Sequence, residues 1–130
     1  MGNSQFDSLM ILARRDFQTV AKIEGDFDLR GVAFFHVQQA LEKAFKAVLS
    51  AHGVAYPMTH DLLTLKDRLA TIRIQCPLDD DVLDQITPFG VAARYDDGIE
   101  PPLSTTRGLA IVSSVLTWAE QYRPSAPAAT

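Results

Sequence analysis

From Asp28 to His52 the chain carries no proline, and its apolar residues return every three or four positions. Val37, Leu41, Ala44 and Val48 form a stripe, which Phe34, Phe45 and Leu49 widen. That period belongs to a helix. Asp28 is the expected N-cap, and Gly53 stands where a C-terminal glycine belongs. Gly31 falls near the first turn, where a helix tolerates it best. So long a helix with so broad an apolar face must be covered by other elements, and the rest of the chain reads as helices too.

Phe6, Leu9, Met10, Ala13, Phe17, Val20 and Ala21 predict a first helix over 6–23, capped by Asn3 or Ser4 and ended at Gly25. After the Tyr56-Pro57 break, Thr59 is the expected cap of a third helix over 60–72, with Leu62, Leu65 and Leu69 inward. Asp79, Asp80 and Asp81 suit the start of a fourth helix, because the helix dipole favours negative charge there. Its apolar residues run on to Tyr95, but Pro88 lies inside and should kink or split it. The stretch 96–102 is rich in turn formers. Ser104 is the expected cap of a last helix over 105–122, with Leu109, Val112, Leu116 and Ala119 inward. The expected architecture is all-α: one domain over 1–123, a four- to five-helix up-and-down antiparallel bundle, with a frayed tail over 124–130.

Composition narrows the function. The chain has 130 residues, with 47% hydrophobic and 22% charged residues, which fits one globular domain and not a disordered chain. Its net charge of -4 provides no global field for nucleic acid, so any RNA contact must be local and DNA is not expected. A single cysteine, Cys76, excludes an intrachain disulfide and a cysteine zinc cluster; a small structural thiol before Pro77 is expected. The short apolar stretch Leu9–Ala13 precedes Arg14 and Arg15 and does not follow a basic segment, which does not suit a secretory signal. No run is long enough to span a bilayer. A cytoplasmic location without membrane attachment is the expectation. His36, His52 and His60 make no metal-binding pair, and no glycine-rich phosphate loop is present, so neither metal nor cofactor is called for.

The long helix carries a polar strip. His36, Gln39 and Lys43 share one face by their spacing, and Gln38, Glu42 and Lys46 share a neighbouring one. In the plainest reading, Glu42 and Lys46 pair along the helix and the glutamines face water. A polar strip on the longest helix of a bundle also marks a packing or partner surface.

The segment Phe35-His36-Val37-Gln38-Gln39-Ala40-Leu41-Glu42-Lys43-Ala44-Phe45-Lys46-Ala47-Val48-Leu49 resembles the signature helix of HEPN domains, the higher eukaryote and prokaryote nucleotide-binding family. Thr59-His60-Asp61-Leu62 and the stretch from Leu83 through Pro88 to Ala93-Arg94-Tyr95 resemble further family segments, in the family's order. The resemblance implies a helical bundle, usually dimeric, often beside a minimal nucleotidyltransferase in a toxin–antitoxin pair. Many members are metal-independent endoribonucleases whose motif is an arginine, four to six residues, then a histidine. Such chemistry suits RNA, whose 2′-hydroxyl is the nucleophile; the histidine moves protons and the arginine steadies the phosphate. Arg30 and His36, with five residues between them, match that motif and are the candidate catalytic pair. Gly31 follows Arg30 where the family usually has a polar residue, and Asp96 follows Tyr95 where it commonly has proline. Six positions on a regular helix turn by about 240°, so the pair shares a face only if the helix starts after Arg30. Gln39, Lys43, Arg94 and His60 are the candidate nucleotide- or RNA-binding residues; for His60 a ring hydrogen bond to a loop carbonyl is the structural expectation, and for Arg94 a place at a helix end. Three functions stay open: a ribonuclease toxin, a homodimeric module binding a nucleotide or docking a nucleotidyltransferase, and a helical dimerisation domain.

Overall fold

The computed structural model describes residues 4–91 and 99–125. Among these residues five α-helices follow one another: α1 (Ser4–Ile23), α2 (Arg30–Ala51), α3 (Leu62–Thr71), α4 (Asp80–Ile86) and α5 (Thr105–Glu120). Short 3-10 turns at Phe27–Leu29 and Thr87–Gly90 precede α2 and follow α4. No strand occurs among the described residues. The all-α bundle expected from the apolar periods is the fold.

α2 is the axis. Phe34, Val37, Leu41, Ala44, Phe45, Val48 and Leu49 are all inaccessible to solvent, and so are Ala33, Ala40 and Ala47 on its other sides. A helix buried nearly all round needs neighbours on several flanks. α1 lies along its whole length and α5 along another side, while α3 and the turn after α4 close a third. Gln5, near the start of α1, meets Ser50 near the end of α2, so α1 and α2 run antiparallel. Thr106 reaches Glu24, and Arg123 reaches Asp7, so α5 is antiparallel to α1 as well. Phe6, Met10, Ala13 and Val20 of α1 and Val112, Val115 and Ala119 of α5 complete the core; Ala21 faces outward, against expectation.

Several boundaries differ from the expected ones for local reasons. Asp26, not Asp28, is the capping residue, and it caps the 3-10 turn: its side chain accepts the Asp28 amide at 3.0 Å. α2 therefore starts at Arg30 with no side-chain cap. α3 starts two residues late because Asp61, rather than Thr59, caps it, accepting the Leu63 amide at 3.0 Å. Thr59 instead accepts the Asp61 amide and shapes the approach. Asp79 caps α4 and Ser104 caps α5, through Val82 and Arg107 respectively. Pro88 ends regular α-helix as expected, since α4 gives way to a 3-10 turn at Thr87. The expected continuation to Tyr95 and part of the expected tail lie outside the described residues.

Candidate functional site

His36 and Lys43 are seven residues apart on α2, two turns, and stand on one face. Long helical side chains lean toward the N-terminus, so Lys43 reaches back toward His36. Both end on one carboxylate from the neighbouring helix. Oδ1 of Asp16 lies 2.8 Å from His36 Nδ1, and Oδ2 accepts from the Lys43 ammonium at 2.7 Å. Asp16 is 6% exposed, whereas the side chains of His36 and Lys43 are 26% and 22% exposed. The carboxylate is thus a floor, and the imidazole and ammonium are the groups a ligand can reach. Phe35 packs its ring edge-on against His36, with centroids 5.1 Å apart.

The second polar face goes inward. Gln38 is fully buried, and Glu42 and Lys46 nearly so; the expectation that the glutamines face water fails for Gln38, while Gln39 is half-buried. Glu42 is the hub. One carboxylate oxygen meets Gln38 at 3.1 Å and the His60 ring at 2.9 Å, and the other takes Lys46 at 2.7 Å. Gln38 also donates to the His60 carbonyl at 2.8 Å, and Gln39 donates to Gln38 at 2.8 Å. His60 therefore bonds a carboxylate through its ring, not a loop carbonyl, while its own carbonyl serves Gln38. Burial pushes the Glu42 carboxyl up, but the hydrogen bonds from Lys46, His60 and Gln38 outweigh it and leave its pKa below the usual value. No buried side-chain polar atom among the described residues is left without a partner.

Arg30 sits elsewhere. α2 begins at Arg30, so the turn of about 240° to His36 applies in full. Its guanidinium makes a two-pronged pair with Glu100, at 3.0 and 2.7 Å, gives a third bond to the Phe27 carbonyl at 2.9 Å, and lies 3.8 Å above the Phe27 ring. That hydrogen bonding holds the Glu100 carboxyl below the usual carboxylate range. A cavity of about 370 Å³ opens beside this pair, between Glu24, Phe27, Ser104 and Thr106. Among its described lining residues the one cation, Arg30, is already matched by a carboxylate, and Glu24 adds a second negative group. Within a single chain, Arg30 and His36 are held by different partners and meet at no common cleft. Arg94 lies outside the described residues.

A family model for the HEPN domain matches residues 12–122. The chain belongs to the HEPN domain family. The match covers α2 with its polar strip, and it makes the chain, in general terms, a nucleotide- or RNA-associated module. No curated protein and no solved structure matches it. Among its described residues, no helix of this HEPN domain is long and apolar enough to cross a membrane.

Asp16 is the site residue that sequence reasoning missed. It stands on the apolar stripe of α1, three residues after Ala13 and four before Val20, both buried. A lone carboxylate at a core position is a signal in itself, since it must find buried partners.

Proposed function

We propose that this HEPN domain is a binding module for a nucleotide or RNA, working as a homodimer beside a minimal nucleotidyltransferase in a toxin–antitoxin-like pair. One observation carries the reading. Asp16 presents His36 and Lys43 together on an accessible face, while Arg30 stands apart from them, its charge paired with Glu100 and a further donor on the Phe27 carbonyl. An imidazole and an ammonium side by side suit the phosphate and sugar of a nucleotide. Gln39 is tied to the Gln38–Glu42 network, which also holds His60.

The test is titration of the purified, metal-free protein with ribonucleotides and short RNA. His36→Ala and Lys43→Met are expected to weaken binding at least about tenfold, since hydrogen bonds to charged groups are worth about 1.5–3 kcal/mol. Arg30→Ala is expected to bind as the parent does. Binding lost with Arg30 and kept without Lys43 would overturn the assignment.

A second reading has its own support. A carboxylate on Nδ1 orients an imidazole and leaves Nε2 for proton transfer, which favours a metal-independent endoribonuclease with His36 as acid or base. In that reading Arg30 must leave Glu100 to reach a phosphate. Metal-free RNA cleavage that disappears in both His36→Ala and Arg30→Ala supports it; uncut RNA removes it.

A further inference from the structure

We propose that Asp16 is the positioning residue of the α2 groove: it fixes the His36 proton on Nδ1, turns the Nε2 lone pair outward beside the Lys43 ammonium, and so selects a ligand with a hydroxyl next to a phosphate. The ligand half rests on the nucleotide-binding reading above; the imidazole half does not.

The argument begins with what a carboxylate can do. Ionised, it only accepts hydrogen bonds. Its two oxygens are shared out, one to the His36 ring and one to the Lys43 ammonium, at 2.8 and 2.7 Å. A neutral imidazole carries one N–H, and the nitrogen facing an acceptor is the one that bears it. Nδ1 is therefore the donor and Nε2 the acceptor. Nε2 has no partner among the described residues, and because no buried side-chain polar atom there is unpartnered, Nε2 lies at the surface. Lys43 spends one of its three donors on Asp16 and is 22% exposed, so it keeps donors for an anion. An outward acceptor next to an outward cation matches a hydroxyl donor next to a phosphate. A 3′-ribonucleotide, with vicinal 2′-hydroxyl and 3′-phosphate, has that pair; its 2′-deoxy counterpart lacks the donor.

An amide in place of Asp16 reverses the arrangement. In Asp16→Asn the Lys43 ammonium claims the amide oxygen, and the NH2 group turns to His36 Nδ1. The imidazole proton then moves to Nε2, which becomes a donor. A carboxylate that merely tied α1 to α2 would carry no such directional consequence.

The experiment uses the full chain labelled with 15N-histidine. NMR at a pH where the imidazoles are neutral reads which nitrogen bears the proton. The parent is expected to show Nδ1–H for His36 and Asp16→Asn to show Nε2–H. Should Asp16→Asn fail to fold, the parent spectrum still decides, because Nε2–H there overturns the proposal. Adenosine 3′-monophosphate and its 2′-deoxy counterpart are then titrated into the parent. The parent is expected to prefer the ribonucleotide about tenfold, the cost of leaving one acceptor unsatisfied; a hydroxyl also accepts, so the reversal in Asp16→Asn is read from the NMR spectrum alone. Equal binding of the two nucleotides by the parent overturns the acceptor role while leaving nucleotide binding intact. Nδ1–H with neither nucleotide bound overturns the binding reading and the ligand half together.

Discussion

Glu42 holds three hydrogen-bonding partners from a position only 6% exposed, so its loss exposes more than one defect. Glu42→Gln removes the charge that balances Lys46, whose side chain is 11% exposed. Breaking a buried pair in this way costs about 3–5 kcal/mol, and the urea midpoint should fall accordingly. The sign of the pH dependence follows from the same contacts. The folded pKa of Glu42 lies below its unfolded value, so its contribution is complete above the usual carboxylate value of about 4.3 and is lost as pH falls through the lower folded value. The parent should lose stability across that acid window, and Glu42→Gln should lose less. Cys76 offers a contrasting case. It is 7% exposed, and burial, outweighing the Leu78 amide and Lys66, pushes its thiol up. A thiol-reactive disulfide should therefore label the native protein slowly and the denatured protein fast. At this scale the sequence was least legible. The i,i+4 spacing announced the Glu42–Lys46 pair, but not that α3's approach would seal it from water. Nor did spacing within α2 reveal that a carboxylate from α1 would join His36 to Lys43.

Two helix ends show how local chemistry sets the elements. After α2, Gly53 adopts φ 69°, and the amides of Gly53 and Val54 bond the carbonyls of Ser50 and Leu49 at 3.0 Å. This is a Schellman ending, with glycine in the left-handed position it prefers. α3 ends the same way, through Arg73 to Ala70 and Ile74 to Leu69, but with arginine at φ 63°. A side chain costs about 1–2 kcal/mol in that conformation, and glycine gives back part through its greater freedom when unfolded. Arg73→Gly should therefore raise stability by about 0.5–1 kcal/mol, read as a higher melting temperature. The turn after α4 makes the opposite demand. A methyl group on Gly90 would stand 2.6 Å from the Gln38 side chain, which three hydrogen bonds pin in place. Gly90→Ala should destabilise by about 1–3 kcal/mol, as overpacking does. The glycine at the end of α2 and the proline break after α4 were readable in the sequence. The caps were readable only to within two residues, because Asp26 and Asp28, or Thr59 and Asp61, can each supply the oxygen that accepts the cap hydrogen bond, and the path of the chain chooses between them.

For the molecule as a whole, the apolar periods were sufficient to give the fold. Every residue of the α2 stripe read from the sequence is fully buried, as are Leu62, Leu65 and Leu69 of α3. Phe45 is a fair gauge of that core, with no exposure and an edge-on contact to Trp118 at 5.8 Å between centroids. Phe45→Ala should cost about 3–5 kcal/mol and leave the denaturant slope unchanged. The site was less legible than the fold, since helix spacing reports which residues of one helix are neighbours and is silent on which helix faces them. That limit applies to Arg30 as well. Its spacing to His36 suited a motif, whereas its partner, Glu100, stands seventy positions along the chain. The embrace of α2 by its neighbours has a final consequence. Most of the central rod is walled in, and His36 and Lys43 form a window through that wall whose sill is built by another helix. Any molecule that consults α2 there must also read α1, so a change at Asp16, on the far side of the sill, will be felt by the visitor without its touching α2 at all.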